Sequence, residues 1–151
     1  MYGAENRLVK ALAVMEEQAT TEELKEAFEN HRLETEEHVE RLESVFEMTG
    51  ISAEPERCEA MEGIFREAED IVASTERGSM TRDAGLIVAA QKAEHYEMAS
   101  YGSLVTLART LGMPDVAEVL AQTLQEEKAA DAVLSGIAGS QINITASDEE
   151  R

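Results

Sequence analysis

The chain has 151 residues, 32 acidic and 13 basic, and a formal charge of −19. That charge repels phosphate backbones and anionic lipid surfaces, which argues against nucleic-acid and membrane partners. Few aromatics, two prolines and a lone cysteine leave a single all-α domain without an internal disulfide as the expected class.

The first expected helix runs from Tyr2 to Gln18, with Glu5, Leu8, Leu12 and Met15 on one face. Thr20 with Glu23 reads as a capping box that starts a second helix, Thr21 to Thr49, stopped by Gly50. Its inward face is read as Leu24, Ala27, His31, Glu34, His38, Leu42 and Val45. A connection follows, with a shorter helix from Cys58 to Ser74; Cys58, near the turn-like Ala53-Glu54-Pro55, reads as a small structural residue. After the break at Arg77-Gly78-Ser79, a helix from Thr81 to Leu111 carries Ile87, Ala90, Glu94, Glu97, Tyr101, Leu104, Ala108 and Leu111 on one stripe, leaving His95 and Tyr96 off it. Gly112 and Pro114 stop that helix and start the last, Pro114 to Leu134, whose stripe is Leu120, Leu124, Glu127, Asp131 and Leu134. Residues 1–135 are expected to form the bundle, and 136–151 a polar, mobile tail. Two hairpins joined by one long crossover that holds a short extra helix give a ferritin-like antiparallel four-helix bundle. No apolar run is long enough for a membrane span and no signal-peptide pattern is seen, so a cytoplasmic location is expected.

Carboxylates interrupt these stripes where a core demands apolar side chains. A buried ionised acid is costly unless it takes up a proton or meets a cation, and several together repel one another until a metal neutralises them. Residues equidistant from a hairpin turn share a depth: Glu5 and Glu34 are centred on Ala19 and Thr20, Glu97 and Glu127 on Gly112. Both hairpins thus bring acids to one level, roughly 20 Å from their turns at the helical rise. The candidate metal ligands are Glu5, His31, Glu34, Glu94, Glu97, Glu127 and Asp131, with His38 as the alternative to His31 on the second helix. Two ions about 3.5–4 Å apart are expected. For Glu94 and Glu97 the competing reading is an acid pair held by arginine or shared protons, and Tyr101 is either a hydrogen-bond donor to the ligands or packing.

The segments Ala4-Glu5-Asn6-Arg7-Leu8, His31-Arg32-Leu33-Glu34-Thr35, Arg41-Leu42-Glu43, Cys58-Glu59-Ala60-Met61-Glu62-Gly63 and Gln91-Lys92-Ala93-Glu94-His95-Tyr96-Glu97 resemble the YciE/YciF family of ferritin-like stress proteins, a likeness that extends to about Leu134. The resemblance implies a rubrerythrin-like bundle, a homodimer, two iron ions per chain and a role in stress response. It also implies that Glu5, Glu34, Glu94, Glu97 and Glu127 match the family's carboxylates, while Asp131 stands where such bundles often place a histidine. That oxygen-rich set leaves manganese as an alternative. Family members usually carry a longer stretch before the Ala-Glu pair, so either the true start lies upstream or the chain is trimmed; if this is the mature start, Glu5 is the ligand expected to fray. Two functions follow: a dinuclear oxidoreductase acting on peroxide or dioxygen, or a non-catalytic stress bundle with a structural or vestigial metal. The acidic, lysine-poor surface fits a halophile, with an ordinary acidic surface as the alternative.

Overall fold

The three- and four-residue spacing of apolar side chains produces the expected helices. A computed structural model describes residues 1–149: α1 (Tyr2–Gln18), α2 (Glu22–Thr49), α3 (Glu59–Ser74), α4 (Met80–Thr110), α5 (Pro114–Ile137), a π-helical turn (Ala138–Ile142) and α6 (Asn143–Asp148). Helix α1 packs along α2, α4 along α5, and α2 against α5; α3, in the crossover, lies on α4 and touches α1. The fold is the all-α ferritin-like bundle anticipated from the sequence. Gly50 (φ 70°) and Gly112 (φ 72°) end α2 and α4 in the left-handed region, where a side chain would be strained. No helix among the described residues is long and apolar enough to cross a membrane.

Three local arrangements differ from the sequence reading. The start of α2 has no side-chain cap of its own, so the Thr20/Glu23 capping box does not form. Buried Asp83 of α4 replaces it, accepting hydrogen bonds from the amides of Thr20 (2.7 Å) and Thr21 (2.9 Å) and from the Thr21 hydroxyl (2.9 Å). The first turn of α1, expected to fray, is clamped: the Tyr2 ring meets Phe46 edge-on at 5.6 Å and its hydroxyl donates to Glu43 at 2.7 Å. Gly3 lies so close to the Glu56 carbonyl that a Cβ there would overlap it. Lastly, the segment read as a mobile tail is helical through Asp148, anchored by buried Ile137 and Ile142. Glu149 then accepts from the Met80 (2.7 Å) and Thr81 (2.9 Å) amides at the start of α4. Two isoleucines and one capping acid within a polar stretch supply that anchor.

The core is split into two apolar layers. One holds Leu8, Leu12, Leu24, Phe28, Met61, Leu86 and Ile87; the other is built around Leu42, Val105, Val116 and Leu120. The buried acids and imidazoles lie on the same helices between these layers, at Glu5, His31, His38, Glu94, Glu97 and Glu127.

Candidate metal centre

Four helices supply this polar layer. Glu5 comes from the first turn of α1, His31 and His38 from α2 two turns apart, Glu94 and Glu97 from α4 one turn apart, and Glu127 from the middle of α5. Glu5, His38, Glu94, Glu97 and Glu127 are fully buried and His31 is 7% exposed. Two overlapping ligand groups result. His31, Glu94, Glu97 and Glu127 offer atoms within 4.8 Å of one another, as do Glu5, His38 and Glu127, so Glu127 is shared. His31 Nε2 lies 3.1 Å from Glu94 and 3.8 Å from Glu127, while His38 Nδ1 lies 2.9 Å from Glu127 and 4.0 Å from Glu5.

The structure places the remaining sequence candidates elsewhere. Glu34 does not join the cluster: its side chain is 37% exposed, with Oε2 3.6 Å from His31 Nδ1. Thr35 takes the fully buried position instead and donates its hydroxyl to the His31 carbonyl at 2.7 Å. Asp131 turns toward the seam with α4, where it accepts from Gln91 Nε2 (3.1 Å) and lies 3.3 Å from the exposed His95. Both histidines of α2, offered by the sequence as alternatives, reach the cluster. Tyr101 is fully buried and donates its phenol to Glu5, the donor role anticipated as one of its two readings. Tyr96, off the stripe, is half-buried, with its hydroxyl 3.1 Å from Cys58 Sγ.

The electrostatics are those of a crowded acid core. Burial, reinforced by Glu127, pushes the Glu5 carboxyl up to about 7. Glu94 also rises to about 7 through burial, even though His31 beside it favours the charged form. Glu97 is driven well above the carboxylate range by burial and by the negative charges of Glu5, Glu127 and Glu94. Burial would raise Glu127 too, but His38 and His31 outweigh it and hold it low. Burial disfavours imidazolium at His31, yet Glu94, Glu34 and Glu127 together carry its pKa well above the usual value.

Whether a metal fits is answered by what these groups lack. Ten buried side-chain atoms have no aligned hydrogen-bond partner: Glu5 Oε2, both nitrogens of His31, His38 Nδ1, and both oxygens of Glu94, Glu97 and Glu127. Such orphans are rare in folded proteins, and here they are confined to one cluster of potential ligands among the described residues. Four carboxylates and two neutral imidazoles balance the charge of two divalent cations, so a loaded site would add no net charge to the core. Nitrogen and oxygen donors of this kind suit iron or manganese.

Comparison with known proteins agrees with this architecture. The family described as Domain of unknown function (DUF892) matches residues 1–147. Protein YciF of Escherichia coli (strain K12) is 44% identical over 143 residues, covering 94% of this chain and 86% of that protein. The crystal structure of the E. coli stress protein YciF superposes with a TM-score of 0.87 at 42% identity, covering 99% of this chain and 91% of that one. YcfI of Rhodopseudomonas palustris, provisionally described as a structural protein, superposes with a TM-score of 0.84 at 38% identity over 89% of this chain and 85% of its own. The chain therefore belongs to the DUF892 family, the YciE/YciF group that its motifs resemble.

Proposed function

We propose that this protein is a dinuclear metal protein of stress response, holding two iron ions per chain and reducing hydrogen peroxide. The observation that carries this reading is the set of ten orphaned buried donor atoms converging from four helices. His31, Glu94, Glu97 and Glu127 would hold one ion, and Glu5, His38 and Glu127 the other. When bound, two ferrous ions would supply Lewis acidity and two electrons, enough with two protons to reduce one peroxide to two waters, and an exogenous reductant would restore those electrons.

The chain's own residues do the rest. Glu5 and Glu97, whose carboxyls burial raises in the metal-free fold, would give up their protons as the ions bind. Tyr101 fixes Glu5 through its phenol. The apolar layers on either side exclude bulk water, which strengthens every interaction between them. A groove of about 210 Å³ between α2 and α5, lined in part by Ala27, His31, Glu34 and Ala130, would bring a small molecule to the His31 edge of the cluster.

A second reading, a stress bundle whose metal is purely structural, is favoured by the near-complete burial of the ligands. Peroxide consumption separates the two. Protein purified without chelators, reloaded with ferrous iron and given a reductant is expected to consume peroxide, whereas apo protein and Glu97→Gln should not. Tight iron binding with no consumption above the apo rate would leave the structural reading standing.

A further inference from the structure

We propose that Glu126 is a positioning residue, fixing the His38 ring with Nε2 protonated and Nδ1 turned into the metal centre; the inference rests on the metal reading above. His38 Nε2 lies 3.0 Å from Glu126 Oε2, while Nδ1, on the opposite side of the ring, lies 2.9 Å from Glu127 and 4.0 Å from Glu5. A carboxylate that accepts the Nε2 proton leaves the Nδ1 lone pair for a metal, sets the ring plane and raises the basicity of the ligand.

Glu126 is itself held in place. Arg41 of α2 grips both of its oxygens, Nη2 to Oε1 at 3.0 Å and Nη1 to Oε2, and Gln122 Nε2 donates to Oε1 at 3.2 Å. Arg41 Nη1 also donates to Thr123 at 3.3 Å, and Nη2 to Glu37 at 3.3 Å, which ties the fork to both helices. A two-point guanidinium grip fixes a carboxylate's plane as well as its distance, which a lone lysine would not do. His31 has no equivalent support, because its Nδ1 faces the half-exposed Glu34 at 3.6 Å, beyond hydrogen-bonding reach. Glu126 thus makes the two histidines unequal, His38 hydrogen-bonded from behind and His31 without such a partner among the described residues.

The test uses Zn2+, which is diamagnetic, on the full-length protein labelled with nitrogen-15 at histidine. Wild type is expected to show a slowly exchanging His38 Nε2 proton and metal-bound Nδ1. Glu126→Leu should lose that protection and weaken Zn2+ binding about 10- to 100-fold, the usual cost of removing such a partner. Glu126→Gln, which keeps a carbonyl acceptor at the same place, should recover most of both. A Glu126→Leu protein that binds Zn2+ within about twofold of wild type and keeps the proton protected overturns the inference and leaves the metal reading intact. Wild type that takes up no Zn2+ overturns both.

Discussion

Glu97 shows most simply how this core behaves without metal. Its carboxyl is fully buried, and the groups that raise its pKa are burial and three other acids. A folded-state pKa above the unfolded value adds stability below the unfolded carboxylate range, near pH 4, and loses it as pH rises through the folded value. Glu97→Gln removes that loss while preserving shape. Calorimetry of metal-free protein at pH 8 should therefore give a higher unfolding midpoint for Glu97→Gln than for wild type, and iron should raise the variant's midpoint less. A lower apo midpoint at pH 8 would mean that Glu97 has a cationic partner in the fold. The same scale shows how far the sequence could be read. Glu5, Glu94, Glu97 and Glu127 were legible because acids on an apolar stripe stand out. Glu34 was placed at the right level but at the wrong angle: at about 100° per residue its neighbour Thr35 points inward, and His31 and His38 reach the site from one turn on either side. Asp131 and Ala130 straddle the inward direction, and the half-buried alanine lines the groove while the acid turns to Gln91. Glu126 was not legible, since an acid beside a stripe looks like any solvated one until Arg41 is seen above it.

At the level of elements, periodicity and glycine stops located the helices, because both are local properties of the chain. What holds the helix ends is not local. Asp83 sits 62 positions from Thr21, so its capping role exists only once α4 lies beside the α1–α2 turn. Asp83→Ala should lower stability by about 0.5–2 kcal/mol, the range for a lost N-cap, as read from the midpoint of urea unfolding at constant slope. An unchanged midpoint would show that water satisfies those amides equally well. Nor was the clamp on α1 visible in advance, since Phe46, Glu43 and Glu56 are brought to Tyr2 and Gly3 by the fold alone. It holds Glu5 within the site even though Glu5 lies in a first helical turn.

Across the whole molecule the acids form two populations. The outer ones, among them Glu36, Glu37 and Glu40, are solvated, and their mutual repulsion acts over roughly a Debye length. If that shell is an adaptation to concentrated salt, the unfolding midpoint should climb from dilute to molar potassium chloride; a flat or falling midpoint marks an ordinary acidic surface. The inner population is sealed between two apolar layers and screened little by salt, so its charge must be balanced from within. That two divalent ions provide the balance is the central claim, and anomalous diffraction from crystals grown with iron or manganese tests it most directly. Two peaks per chain are predicted, about 3.5–4 Å apart, both contacted by Glu127, one of them also by His31, Glu94 and Glu97 and the other by Glu5 and His38. A map with only water or arginine side chains among these six residues would contradict the account.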